Sequence, residues 1–148
     1  MRVFIASHSQ GQAASLKSDL EVVGYEVSAR WITTDSKFGH GLLAYTDAER
    51  RELAQMDERD VRSSDVLVLL AEKEGQTVPG GKHVETGIAL ALGKPVAVVG
   101  RRENIFHWHP SVTVVTDVPT LLKWLESLQS DLDAAGGGKR RENSSYRE

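Results

Sequence analysis

Along this chain, apolar residues come in short continuous runs that alternate with longer stretches where they recur every three or four positions. Arg2 to Ala6 (RVFIA) is the first run. It breaks into the polar segment SHSQGQ, which predicts a buried strand followed by a loop. In AASLKSDLEVVG, Leu16, Leu20 and Val23 share a helical face, and Gly24 supplies a stop. Tyr25 to Trp31 (YEVSARW) alternates apolar with polar and predicts a second strand, followed by a loop holding Gly39 and Gly41. Thr46 to Ser63 is strongly charged with an inward stripe of Leu53, Met56 and Val61, the pattern of a second helix. Asp65 to Ala71 (DVLVLLA) is continuously apolar, as a parallel strand covered on both faces would be. The loop EKEGQTVPGG leads into a helix, KHVETGIALAL, that stops at Gly93. Pro95 to Gly100 and Val112 to Thr116 predict two more strands joined through RRENIFHWHP, and Leu121 to Leu128 a closing amphipathic helix.

Strands alternating with helices specify an α/β fold: a single-domain, doubly wound, five-stranded parallel sheet with helices on both faces, flavodoxin-like or Rossmann-like. The domain is expected to span residues 1–129. From residue 130 the hydrophobic period disappears and Gly and charge dominate, which predicts a flexible tail over 130–148. Ligands of such sheets sit beyond the carboxyl ends of the strands. The polar loops Ser7–Gln12, Glu72–Gly81 and Arg101–Pro110 all follow strands and are expected to gather there.

Composition narrows the function classes. The chain has 148 residues, 40% of them hydrophobic, enough for one self-sufficient core. A net charge of −3 argues against a nucleic-acid polymer as partner. The absence of cysteine excludes disulfides, thiolate catalysis and Cys-based zinc sites. The first apolar run is too short for a signal peptide, and none spans a bilayer. The expectation is a cytoplasmic protein with no membrane partner.

Candidate chemistry concentrates in GGKHVETGIALALGKPVAVVG, residues 80 to 100. Gly80 and Gly81 let backbone approach a ligand closely, and the helix that follows offers free N–H groups. Glu85 lies in or near the first turn, where the helix dipole favours an ionised carboxylate suited to act as a nucleophile. It can equally be a capping residue. Asp57 and Asp60 fall on the inward side of the second helix, where a carboxylate is costly unless paired with an arginine or functional. Asp65 opens the central strand at its amino end, a position that suits a turn better than catalysis. Ser7, His8, Ser9 and Gly11 form a polar loop before a helix that suits a phosphate or sugar hydroxyl, although it has no P-loop lysine. His83, His107 and His109 lack the spacing of a metal site, so no metal and no cofactor are expected. Phe106 and Trp108 can stack on a base or cover a sheet edge.

These residues together resemble the nucleoside 2-deoxyribosyltransferase family and its relatives that hydrolyse deoxynucleoside 5′-monophosphates. The resemblance covers roughly residues 1 to 127. It is carried by GGKHVETGIALALGKPV after DVLVLL, by AQMDERDVRSSDVLVLL, by RVFIASHS, and by RENIFHWHP, which is similar to small phage members. It implies that Glu85 attacks the anomeric carbon to form a covalent glycosyl-enzyme, which water or a second base resolves. It also implies Asp65 as an active-site carboxylate, with Asp57 and Asp60 as further candidates. Substrate contacts are implied for Ser7, His8, Ser9, Gly11, Gly80, Gly81, His83, Asn104, Phe106 and His107. Two departures matter. Free-nucleoside transferases carry an Asp where this chain has Pro79, and a Tyr where it has Ser7 and His8. Both turn the expected substrate towards a nucleotide. The resemblance further implies a homodimer or larger homo-oligomer, with the Asn104–His109 loop reaching a neighbouring subunit. The alternative is a non-catalytic nucleotide-binding or sensing module that uses the same cleft.

Overall fold

Strand β1 (Arg2–Ala6) has no exposed surface from Val3 to Ala6. Side chains of a strand point alternately up and down, so such a strand must be covered on both faces. The computed structural model, which describes residues 1–34, 41–76 and 78–140, shows how this is done. Five strands form one sheet in the order β2-β1-β3-β4-β5, every neighbouring pair parallel. They are β1, β2 (Glu26–Val27), β3 (Val66–Leu70), β4 (Val96–Val99) and β5 (Val112–Val115). The central register pairs Val3 with Val66 and Ala6 with Leu69.

The chain steps from β1 outwards to β2, then back across to β3 and on to β4. Right-handed crossovers therefore put α1 (Gln10–Val23) on one face, and α3 (Asp47–Ser63) and α4 (Gly81–Ala91) together on the other. α3 and α4 pack against each other and both touch β1. The last helix, α5 (Val118–Arg140), packs on β4 and β5 through the fully buried Leu121 and Leu125. α1 and α3 start on side-chain caps. Ser9 accepts from the Gln12 backbone, and Thr46 with Glu49 makes a reciprocal capping box. Gly24, at φ 102°, closes α1 in a left-handed conformation that a Cβ would strain.

The predicted elements and the sheet are present, with three corrections. The second strand is confined to Glu26–Val27. Trp31 leaves the strand path to donate its indole N–H to the Ile5 carbonyl at 3.0 Å, and opens a short helix, α2 (Trp31–Thr34). The closing helix does not end at Leu128 but runs to Arg140, so the first part of the predicted flexible tail is helical. Nothing in DLDAA breaks a helix, and its side chains face solvent. Gly39 and residues 141–148 lie outside the described residues. Among the described residues, no helix is long and apolar enough to cross a membrane.

Candidate active site

The strand order reverses direction between β1 and β3, and doubly wound sheets open their ligand crevice at that point. α3 and α4 meet above it and each contributes a carboxylate. Asp57, on α3, is half-buried next to the buried Met56. Its Oδ1 is shut off from solvent and has no hydrogen-bond partner among the described residues. Burial is the main reason its carboxyl is pushed up to about 6. The negative charge of Asp60 adds to the effect and Arg30 opposes it. Glu85, on α4, is pushed well above the ordinary carboxylate range, first by burial and then by Asp57. Its pKa direction corrects the expectation of a dipole-stabilised anion. Glu85 is the fifth residue of α4, past the first turn, where the dipole has faded and desolvation wins. The charge of Asp57 therefore adds to the cost of ionising Glu85.

Asp60, one turn from Asp57, is a clamp. Its buried carboxylate accepts the backbone N–H of Arg30 at 3.0 Å and the Arg30 Nε at 2.9 Å, with Nη2 2.7 Å away. It ties α3 to the chain leaving β2. Asp65 accepts the Arg2 backbone N–H at 2.6 Å, at the amino edge of the sheet, so the structure does not bring it together with Glu85. The hydroxyls of the first loop are engaged within the chain. Ser7 Oγ donates to the Ser9 carbonyl and accepts from the Ser9 N–H, both at 3.1 Å, while Ser9 Oγ caps α1. His8 and Gly11 are exposed beside them. Gly80 and Gly81 are exposed at the start of α4, and a Cβ on either would meet nothing within 4 Å. The protein's own packing therefore does not require glycine there, and the space stays open at the ligand edge.

His83, Asn104 and His107 do come together, but on the flank of α4 opposite Glu85 by helical spacing. The Asn104 amide nitrogen can only donate, so His83 Nδ1 accepts at 3.1 Å and the His83 proton sits on Nε2. His107 Nδ1 accepts the Glu103 backbone N–H at 3.0 Å, which likewise puts its proton on Nε2. Burial lowers the pKa of both rings and keeps them neutral. Beneath them lies a cation that the sequence reading overlooked, Lys82, with its side chain 1% exposed. Its ammonium donates to the Leu70 carbonyl at 3.2 Å and to Glu103 Oε1 at 3.0 Å, and lies 3.4 Å from Glu72. The signal was present in the sequence: Lys82, Thr86 and Ala89 form the buried stripe of α4, and a lysine on such a stripe needs carboxylates.

Ligand atoms of His83, Glu103 and His107 lie within 4.8 Å of one another, close enough to suggest a metal. The charge already held there argues against one. Glu103 already faces the Lys82 ammonium at 2.9 Å, which would repel a second cation. A cavity of about 420 Å³ opens over the histidines, lined mainly by Val84, Gly87, Leu90, Ile105 and Phe106.

No protein-family model matches the chain, and no curated protein matches by sequence. Solved structures match by shape. The chain is similar to the Clostridium botulinum CMP N-glycosidase BcmB, with a TM-score of 0.53 and 19% identity, over 85% of this chain and 98% of that one. It also matches the receiver domain of the hybrid histidine kinase CckA, with a TM-score of 0.48 and 17% identity, over 86% and 97% of the two chains. At these identities the likeness to BcmB is one of fold: a five-stranded parallel α/β sheet.

Proposed function

We propose that this chain is an N-glycosidase that breaks the bond between a base nitrogen and the anomeric carbon of a nucleoside 5′-monophosphate or nucleoside. Glu85 is the nucleophile and Asp57 its proton partner. The observation that carries the reading is the pair of desolvated carboxyls that α3 and α4 contribute at the switch point of the sheet, with the Asp57 charge acting on Glu85. The fold shared with a CMP N-glycosidase and the resemblance of GGKHVETGIALALGKPV to the deoxyribosyltransferase family support it.

The pair holds one proton. In the reacting form Glu85 is ionised and Asp57 carries the proton. Glu85 Oε bonds to the anomeric carbon as the C–N bond breaks, and the Asp57 proton goes to the departing base nitrogen. Asp57, now ionised, takes a proton from an incoming water, whose oxygen displaces Glu85 from the anomeric carbon. Sugar and base are released and the pair regains its proton. A second base in place of water would give transfer. The sequence needs only carboxyls and water. Pro79, and Ser7 with His8, stand where free-nucleoside transferases carry an Asp and a Tyr, and this favours a nucleotide. The apolar cavity beside α4 holds both a hollow and the projecting Ile105 and Phe106, a self-complementary patch that a second copy would cover in a two-fold dimer.

The test is release of free base from CMP, dCMP and free deoxynucleosides, followed by chromatography. Glu85→Gln and Glu85→Ala are expected to lose about a thousand-fold or more of wild-type turnover. A glycosyl adduct on Glu85 should appear in the mass spectrum of quenched wild type. If Glu85→Ala releases base as fast as wild type, the reading is wrong. Saturable nucleotide binding without turnover would identify a binding module in its place.

A further inference from the structure

Helix α4 carries Glu85, yet its start lacks the usual anchors. Its N-cap is Gly80, which offers no side chain to the free N–H groups, and no acidic residue stands in the first turn. The second residue is Lys82, whose charge the helix dipole disfavours at that end. The chain nevertheless buries it, and surrounds it with two carboxylates and a carbonyl from two separate segments. The Leu70 carbonyl ends β3, Glu72 lies in the loop after β3, and Glu103 lies in the loop after β4. Glu103 is itself fixed, since its Oε1 accepts the Glu72 backbone N–H at 2.9 Å. Thr86, one turn along, donates back to the Lys82 carbonyl at 2.7 Å. The ammonium is thus the common point of β3, the β4 loop and the first turn of α4.

We propose that Lys82 is a positioning residue. Its buried ammonium sets the height and rotation of the first turn of α4 against the carboxyl ends of β3 and β4, and so fixes Glu85, three residues on, opposite Asp57. This inference rests on Glu85 being the nucleophile, but the placement it describes can be measured without turnover. A helix held only by packing could slide along the sheet. Three directional bonds to one buried nitrogen resist both sliding and rotation.

Two variants separate positioning from stability. Lys82→Met leaves Glu72 and Glu103 buried without their cation, and Tm is expected to fall by about 10 °C. Lys82→Met combined with Glu103→Gln lowers the uncompensated charge and is expected to regain most of that loss. Kinetics are taken well below the Tm of each variant. The double variant is expected to keep kcat about ten-fold or more below wild type, with KM within about two-fold, because misplacement of a reacting group acts on turnover. Return of kcat along with Tm would overturn the proposal, since packing alone would then explain the site. If wild type itself turns over none of the nucleotides, the functional reading fails, and the inference is judged by carbon-13 titration of Glu85. The midpoint is expected to lie well above that of an ordinary glutamate in wild type and to move towards it in the double variant. An unchanged midpoint would overturn the proposal.

Discussion

A carboxyl group that is desolvated beside another carboxyl holds its proton more tightly when the chain is folded than when it is not. For Asp57 the ordinary value of 3.8 becomes about 6, and Glu85 moves in the same direction. The stabilisation this provides is fully present below the unfolded value and is lost as pH rises through about 6 for Asp57, with Glu85 acting in the same direction. Stability should therefore fall between pH 4 and pH 8 more steeply than the rest of the titratable groups require. Asp57→Asn removes the Asp57 share. It is expected to raise Tm at pH 8 by about 3 °C, with a smaller gain at pH 4.5, in calorimetry at both pH values. Under the proposed mechanism the same pair sets the pH dependence of turnover. kcat/KM should be bell-shaped, rising as the pair loses its first proton and falling as it loses the second, and Asp57→Asn, which removes the acid, should abolish the alkaline limb. Both residues were legible in the sequence, Glu85 from the Gly80-Gly81 helix start and Asp57 from its place on an apolar stripe. Their proton state was not legible, because it depends on burial, which spacing does not report. Lys82 was missed because its partners, Glu72 and Glu103, come from segments that only the folded sheet brings together.

At the scale of elements, neighbouring turns of α3 carry carboxylates with opposite effects on stability. Asp57 has a buried oxygen without a donor, whereas Asp60 is satisfied by three Arg30 groups. Asp60→Asn is accordingly expected to cost about 1–3 kcal/mol, the loss of charge-assisted hydrogen bonds at a buried acceptor. Urea denaturation should show a lower midpoint at an unchanged m-value. Equal stability of Asp60→Asn and wild type would show that Arg30 is not clamped. Strand and helix identities followed from the apolar pattern because the helices bury one face and the central strands both. Boundaries failed where tertiary contacts decided them. Trp31 continues the alternating pattern of YEVSARW, but its indole finds the Ile5 carbonyl only by leaving the strand. The extension of α5 to Arg140 buries nothing along most of its length, so it left no hydrophobic period to read.

For the molecule as a whole, Val84, Ile105, Phe106 and Trp108 are each more than 60% exposed on one side, too much apolar surface in one place to be incidental. If a second copy covers it, wild type sediments as a dimer and Phe106→Asp as a monomer, with base release reduced only so far as the partner completes the crevice. A wild-type monomer at micromolar concentration would remove the dimer reading and leave the carboxyl pair untouched. The sheet order has a further consequence, in time. β1 is synthesised first, yet its main partner is β3, and Val3 must wait for Val66 while α1, β2 and α3 are made and fold between them. Closing that long loop is an entropic toll that local helix formation cannot defray. Asp57 and Glu85 are buried together only after this seam has shut and α4 has docked, so a nascent or partly folded chain carries both carboxyls without the burial that shifts them.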